Sequence, residues 1–321
     1  MSATDSPAGH GTTTPSTASK RGMDIVMLGH TAAGKTTYVS LMYDAMRTGI
    51  EGFSLRAGDP GDHDTLVAAA KRIRKGHYPP PTSQRAVFDF VLQHDGRDVL
   101  PFRWRDYRGG ALTQRSVDSP DVKQLHQDLT QAQGIVVFVD SQRLLAGAGA
   151  VKEMRRITVH VQRALDARDG LVTPLVIAFT KCDLVDIDDE AVQLRLSEPF
   201  QQVAAGAAAS ETVCFAAVPV SCGSRELNIA VPVLFSLLYA LAGRALELQR
   251  SVEGKLGAAQ DAANRITLGN SLSAWWNGTS SWAEISARRR REALAEYALL
   301  EPLLGSGQRL EELLRGYGWA A

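Results

Sequence analysis

Gly29-His30-Thr31-Ala32-Ala33-Gly34-Lys35-Thr36 fits the phosphate-binding pattern G-x-x-x-x-G-K-S/T. The apolar run Ile25-Val26-Met27-Leu28 precedes it and a helix-like segment follows it, which is the strand–loop–helix context that the pattern requires. The backbone N–H groups of such a loop wrap closely around a phosphate. We therefore expect all eight residues to contact a nucleotide, with Lys35 at the β/γ-phosphates and the Thr36 hydroxyl on Mg²⁺. Thr37 either bonds the α-phosphate or caps the helix.

Strands and helices alternate after this loop, and this alternation predicts an α/β fold. We expect a P-loop NTPase with a mostly parallel sheet, one antiparallel edge strand, helices on both faces and a C-terminal helical extension. The antiparallel strand belongs to a hairpin turning at Asp95-Gly96. Residues 49–84 are expected to form a long connection holding one helix. The predicted organisation is a disordered tail (1–21), the nucleotide-binding domain (22–249) and the helical extension (250–321).

The composition indicates a cytoplasmic globular protein. The formal net charge is zero, so no overall electrostatic attraction to nucleic acid is expected. The three cysteines lack metal-type spacing, and their odd number argues against a disulfide framework. The longest apolar run, residues 229–242, is too short for a transmembrane helix and contains Pro232.

A second motif, Trp104-Arg105-Asp106-Tyr107-Arg108-Gly109-Gly110, closes the second hairpin strand. An aspartate at a strand end can hold the Mg²⁺ shell, and a glycine three residues later can donate its N–H to the γ-phosphate. We therefore predict that Asp106 is a metal-site residue and that Gly109 takes part in catalysis. Lys35 is assigned to the same catalytic set.

Two later strand ends carry candidate base-binding residues. Thr180-Lys181-Cys182-Asp183 ends one strand, and the Asp183 carboxylate can accept two hydrogen bonds from guanine, a donor pair that adenine lacks. The Lys181 stem would lie over the base. Val220-Ser221-Cys222-Gly223 ends the next strand, and its backbone N–H groups, at Ser221 and Cys222, could bond the guanine O6.

Taken together, these motifs resemble the nucleotide-binding boxes of Ras-like small GTPases, within the translation-factor-related P-loop class. The resemblance covers about residues 23–249, and Thr180 stands where many relatives carry Asn. The long connection and the helical tail resemble GTPase domains of bacterial double-GTPase or conflict-type systems. The resemblance implies GTP and GDP as ligands, Mg²⁺ as cofactor, and a protein effector or regulator as partner.

The sequence departs from the Ras-like pattern after the second motif. Gly110 stands where relatives commonly carry a glutamine that orients the attacking water, so slow intrinsic hydrolysis is expected. Thr82 is the best-placed candidate for the switch threonine that contacts Mg²⁺ and senses the γ-phosphate, although an ordinary turn threonine fits equally well. Two other functions remain open at this point: a non-hydrolysing, nucleotide-bound scaffold, and an ATP-dependent P-loop enzyme.

Overall fold

The computed structural model describes residues 23–80, 86–107, 120–168, 170, 172–223, 225–264, 288, 291–292, 303 and 305–315. In this part of the chain the strands are β1 (Met23–Leu28), β2 (Phe53–Ala57), β3 (Ala86–His94), β4 (Arg97–Asp106), β5 (Gly134–Asp140), β6 (Thr173–Thr180), β7 (Val213–Pro219), β8 (Ser221–Cys222) and β9 (Glu226–Leu227). The main helices are α1 (Lys35–Arg47), α2 (Pro60–Ile73), α3 (Pro120–Gln131), α4 (Ser141–Leu145), α5 (Ala148–Asp166), α6 (Glu190–Ser197), α7 (Gln201–Ala208) and α8 (Val231–Asn264). Residues 305–315 are also helical.

Seven strands form one sheet in the order β2-β3-β4-β1-β5-β6-β7, and β8 and β9 form a separate small hairpin. Strands β1, β4, β5, β6 and β7 pair in parallel, and β3 pairs antiparallel with both of its neighbours. The predicted fold class, a mostly parallel α/β sheet with an antiparallel strand towards one edge, is confirmed. The hairpin joining β3 and β4 lies where Asp95-Gly96 predicts it.

Strand β2 was not predicted, because residues 49–84 were expected to contribute only a helix. The segment pairs with β3 and extends the sheet by one strand. Its residues alternate between buried and more exposed positions, which is the pattern of a strand with one covered face. The expected helix is present as α2, and Asp59 caps its first turn by accepting hydrogen bonds from the N–H groups of Gly61 and Asp62.

Two hydrophobic cores cover the two faces of the sheet. One core includes side chains from α1, α2 and α8, and the other includes side chains from α3, α5, α6 and α7. Strands β5 and β6 are buried along their whole length, as expected for central parallel strands with helices on both sides. The carboxyl ends of these strands are thereby held in fixed positions at one edge of the sheet.

Helix α8 runs without a break across the predicted boundary between residues 249 and 250. The segment Val231–Ala258 is long and apolar enough to cross a membrane by length and composition, but 67% of its apolar window is buried inside the protein. It packs on β5, β6 and β7, as the core helix of a globular fold does. Farther along the chain, Leu310, Leu313 and Leu314 join the same core. The division into a domain and a separate extension stays a prediction.

Candidate functional site

A cleft of about 430 Å³ lies at the carboxyl ends of β1, β4 and β6, where parallel α/β sheets bind their ligands. It brings together the phosphate loop, the strand end at Asp106 and the two strand ends with candidate base-binding residues, which lie far apart in the sequence. Its wall is formed by Thr31, Ala32, Ala33, Gly34, Lys35, Thr36, Thr37, Tyr78, Pro79, Pro80, Asp106, Tyr107, Thr180, Lys181, Asp183, Leu184, Cys222 and Gly223.

The phosphate loop has the backbone conformation that its glycines allow. Gly29 and Gly34 have φ angles of 149° and 86°, which residues with a side chain rarely adopt. A Cβ atom at Gly29 would lie 2.7 Å from the Phe138 carbonyl oxygen of β5. Ala32 also has a positive φ, 67°, at a cost of about 1 kcal/mol for a residue with a side chain. The loop therefore turns tightly against β5 and presents residues 31–37 to the cleft.

Lys35 is held at the centre of this loop with only 8% of its surface exposed. Its Nζ donates to the Gly29 carbonyl at 3.0 Å and lies 3.5 Å from the His30 carbonyl. The same nitrogen lies 3.6 Å from Asp106 Oδ1. Lys35 thus links the loop after β1 to the end of β4, and its charge faces the cleft.

Asp106 is buried, with 6% of its surface exposed. Burial raises the pKa of its carboxyl to about 6, and this rise is reduced by the nearby Lys35 ammonium. Among the described residues, its Oδ1 has no hydrogen-bond partner, which is costly for a buried oxygen unless a further group satisfies it. A desolvated carboxylate oxygen beside a phosphate loop fits the shell of Mg²⁺, which uses carboxylates, water and substrate phosphates as ligands.

His30 lies behind the loop and away from the cleft wall. It is 3% exposed, and its Nδ1 lies 2.7 Å from the Thr31 carbonyl oxygen and 3.1 Å from an Arg143 guanidinium nitrogen. Burial is the largest cause that lowers the pKa of its imidazole. A neutral, buried ring in this place shapes the loop, and the His30 side chain does not line the cleft where the sequence predicts a nucleotide contact.

The end of the cleft that carries the candidate base-binding residues, named the base end below, begins with Thr180 at the end of β6. Its Oγ1 lies 2.9 Å from the Ala33 carbonyl oxygen and 3.1 Å from the Val139 carbonyl oxygen. The hydroxyl therefore ties β6 to the phosphate loop and to β5. Lys181 follows with a φ of 57°, and this left-handed turn redirects the chain into the cleft.

Asp183 is exposed and lines the cleft. Its carboxylate lies against Gly223, since a Cβ atom at that glycine would be 2.0 Å from Asp183 Oδ2. The hairpin of β8 and β9 thus approaches the Asp183 side chain more closely than any larger residue would permit. The last two sequence motifs meet at this contact.

Ser221 and Cys222 have different places in the hairpin. The Ser221 hydroxyl donates to the Arg225 carbonyl at 2.7 Å and accepts from the Gly223 N–H at 3.3 Å, so its side chain supports the hairpin turn and lies outside the cleft wall. Cys222 lines the cleft. Burial raises the pKa of its thiol to about 12, so the thiol is neutral, and the side chain packs against the hydrophobic core.

The structure adds residues that the sequence analysis did not select. Tyr78, Pro79 and Pro80 form one wall of the cleft, and their sequence signal was a break between predicted elements. Asp140 lies behind Lys181 and forms an ion pair with its Nζ. Its signal was its position at the end of a strand, as for Asp106. Thr82 and Gly109, assigned to catalysis, lie outside the described residues.

The chain matches the model of one protein family, Double-GTPase 1, over residues 26–186. No curated protein matches it. Similar solved structures include the signal recognition particle receptor SRb-GTP/SRX complex from Chaetomium thermophilum (13% identity, TM-score 0.37), with 63% of this chain and 92% of that chain covered. They also include the small COPII coat GTPase SAR1 from Encephalitozoon cuniculi in complex with GDP (15% identity, TM-score 0.37), with 72% and 83% covered. Likeness at this level carries no argument about activity or ligand.

Proposed function

This chain belongs to the Double-GTPase 1 family, and on that premise we propose that it is a Mg²⁺-dependent GTP-binding switch with slow intrinsic GTP hydrolysis. Membership of a GTPase family supports guanine-nucleotide binding. We further propose that hydrolysis is slow, that the chain acts as a switch, and that a protein partner responds to its nucleotide state. Its three cysteines are free, which agrees with a cytoplasmic location.

One observation carries the proposal: a single cleft brings together the loop of the phosphate-binding pattern and the two strand ends that carry the candidate base-binding residues. Lys35 and Asp106 lie at the phosphate end, and Lys181 and Asp183 lie at the base end. The Thr180 hydroxyl, 2.9 Å from the Ala33 carbonyl oxygen, joins the two ends directly. A nucleotide is the ligand class that needs both ends in one cleft.

At the phosphate end, the loop N–H groups and the Lys35 ammonium would bind the phosphates. Thr36 and Asp106 would hold Mg²⁺, which supplies charge neutralisation at the β- and γ-phosphates. The buried Asp106 Oδ1 supports this assignment, because among the described residues it has no hydrogen-bond partner and only the Lys35 ammonium lies near it, at 3.6 Å. Thr82 is proposed as the switch threonine, and Gly109 as the N–H donor to the γ-phosphate.

At the base end, Asp183 would select guanine. Its carboxylate accepts from the N1–H and the N2 amino group of guanine, whereas adenine would leave it without these donors. The Lys181 stem would cover one face of the base. Gly223 supports this role because it allows the hairpin to pack directly against the Asp183 carboxylate.

Slow hydrolysis is supported by the sequence at Gly110, which has no side chain to orient the attacking water. Positioning of that water is a large part of phosphoryl-transfer catalysis. A partner that supplies an arginine would then raise the rate by about 10³–10⁵-fold. Binding of GTP would order the segments around Thr82 and residues 106–110, and hydrolysis would release them.

The experiment is a calorimetric titration of the purified chain with GTP, GDP and ATP in the presence of Mg²⁺. We expect tight binding of both guanine nucleotides and weak binding of ATP. In Asp183→Asn, GDP affinity should fall by at least about 100-fold, because one of the paired acceptors becomes a donor. Asp186→Asn is the matched control, since Asp186 is exposed on the same loop and outside the cleft wall. A preference for ATP, or equal effects of both substitutions, contradicts the proposal.

The second candidate function is a scaffold in which bound nucleotide is not hydrolysed, and Gly110 favours it. Single-turnover measurement of phosphate release from pre-bound GTP separates the two. Measurable release that depends on Lys35 supports the slow switch. Tight GTP binding without release over many hours, also with cell extract added, supports the scaffold.

A further inference from the structure

Asp140 ends strand β5 and lies next to the cleft without lining it. It is 5% exposed, and both of its carboxylate oxygens are used. Oδ2 forms an ion pair with Lys181 Nζ. Oδ1 accepts a hydrogen bond of 3.0 Å from the Arg143 N–H and thereby caps helix α4. The helix that directly follows β5 therefore holds the carboxylate in place.

The partner of this carboxylate is a lysine whose side chain would otherwise move freely. Lys181 is 36% exposed at its side chain and lines the cleft. A lysine side chain loses rotamer entropy when it is held in one conformation. The ion pair with a fixed carboxylate offsets part of this entropy loss before any ligand binds.

The end of β5 also contacts the phosphate loop. The Val139 carbonyl oxygen lies 3.1 Å from Thr180 Oγ1, and the Arg143 guanidinium lies 3.1 Å from His30 Nδ1 while it donates to Glu153 at 2.7 Å. Residues 139–143 are therefore in contact with both ends of the nucleotide cleft. A change in the Asp140–Lys181 pair is placed to affect the base end first.

We propose that Asp140 is a positioning residue that holds the Lys181 side chain along the cleft wall, ready to cover the guanine base. The inference rests on the proposed function, because it assigns to Asp140 a part in binding the base of the same nucleotide. Asp140 itself does not touch the ligand. It acts by fixing the ammonium of Lys181, so that the apolar stem lies across the base end.

The test is a double-mutant cycle on GDP binding with Asp140→Asn, Lys181→Met and the double variant. Asparagine keeps an oxygen for the helix cap and removes the charge that holds Lys181. We expect GDP affinity to fall about tenfold in Asp140→Asn, because the freed Lys181 side chain must then be ordered when GDP binds. The double variant should bind GDP no more weakly than Lys181→Met, because the two residues act as one unit.

The matched control is Asp189→Asn, since Asp189 caps helix α6 in the same way, accepting from the Ala191 N–H at 2.8 Å, and is exposed and outside the cleft wall. Its GDP affinity should equal that of the unchanged chain. Asp140→Ser is the second variant, because serine also caps helices and cannot pair with Lys181. It should reproduce the effect of Asp140→Asn and thereby exclude a folding defect particular to asparagine.

Thermal unfolding gives an independent readout. Lys181→Met leaves Asp140 buried without its partner, so its midpoint should fall further than that of Asp140→Asn, in which the lysine can reach solvent. The double variant should recover part of the midpoint but none of the GDP affinity. This separation of stability from binding would not arise if the pair were merely structural.

Three outcomes overturn the inference. One is an unchanged GDP affinity in both Asp140 variants. Another is additive losses in the double variant, which would mean that the residues act separately. The third is a double variant in which GDP affinity recovers together with the midpoint of thermal unfolding. If the unchanged chain does not bind GDP, the proposed function fails first, and the inference falls with it.

Discussion

The two ends of the cleft are built in different ways. At the phosphate end, eight consecutive residues form the loop, and Lys35 bonds the Gly29 carbonyl only six positions back. At the base end, Thr180 contacts Ala33 across 147 positions and Lys181 pairs with Asp140 across 41. The first end is a local backbone structure, whereas the second is assembled by the sheet.

This difference separates two kinds of fragility. The phosphate end depends on a few residues that no other residue type can replace. The buried lysine supplies a positive charge, and the glycines adopt positive φ angles that a side chain would disfavour. The base end depends on close contacts between loops that follow different strands, so a small displacement of one loop alters another. Substitutions at the two ends should therefore differ in both size and selectivity.

Of three substitutions that test this difference, Lys35→Ala should have the largest effect. Removal of the ammonium should weaken binding of GTP and GDP by about 100-fold, the loss of charge-assisted bonds to phosphate. The loss should be independent of the base, so residual ATP binding falls as well. Calorimetric titration measures both. Lys71→Ala, at an exposed position of α2, serves as the control and should bind as the unchanged chain does. A loss restricted to guanine nucleotides would show that the two ends are not separate.

A smaller and base-selective effect is expected for Gly223→Ala. The new Cβ would lie 2.0 Å from Asp183 Oδ2, so the carboxylate must move. GDP affinity should fall about tenfold, the equivalent of one hydrogen bond to a charged group, whereas affinity for inorganic pyrophosphate, which has no base, should not change.

Gly254→Ala provides the control for this substitution. Gly254 lies in α8 with open space around its Cβ position, so alanine there should raise the free energy of unfolding by about 0.5–1 kcal/mol and leave GDP binding unchanged. If Gly223→Ala binds GDP normally, the contact between the hairpin and Asp183 does not position the carboxylate.

The smallest effect is expected for Thr180→Val, which removes the bond between the two ends. The free energy of unfolding should fall by about 1 kcal/mol, the contribution of one buried hydrogen bond, and GDP affinity should fall less than in Gly223→Ala. Chemical denaturation and titration measure the two quantities. In the control Thr158→Val, the lost hydroxyl bonds only within its own helix, to the Arg155 carbonyl, so binding should not change. A larger loss of affinity than in Gly223→Ala would show that the Thr180 side chain contacts the nucleotide directly and does more than join the two ends.

The sequence predicted the strand, loop and helix of the phosphate end because their conformation is local. Strand, loop and helix occupy adjacent segments, and the glycine spacing alone indicates the turn. The β3–β4 hairpin was equally accessible through Asp95-Gly96. Strand β2 was missed because five residues, Phe53–Ala57, are too few for a period-two pattern to stand out from a loop.

The base end could be predicted only as a set of candidate motifs. Asp183 and Lys181 were selected from their order along the chain, but the pairing of Lys181 with Asp140 depends on how the ends of β5 and β6 are placed side by side. The contact between Asp183 and Gly223 likewise requires the hairpin to fold back. Such contacts are properties of the assembled sheet, and no short sequence pattern carries them.

The burial of Leu310, Leu313 and Leu314 in the same core as Met23 and Ile25 has a consequence for biosynthesis. The first strand of the sheet and these leucines are separated by most of the chain, so this core closes through contacts of very high sequence separation, which slow folding. A growing chain on the ribosome has its phosphate loop long before it has the leucines that complete the apolar layer behind it. Folding of this half of the protein is therefore completed only after residues 310–314 have been synthesised, and until then its unfinished core is a target for chaperones.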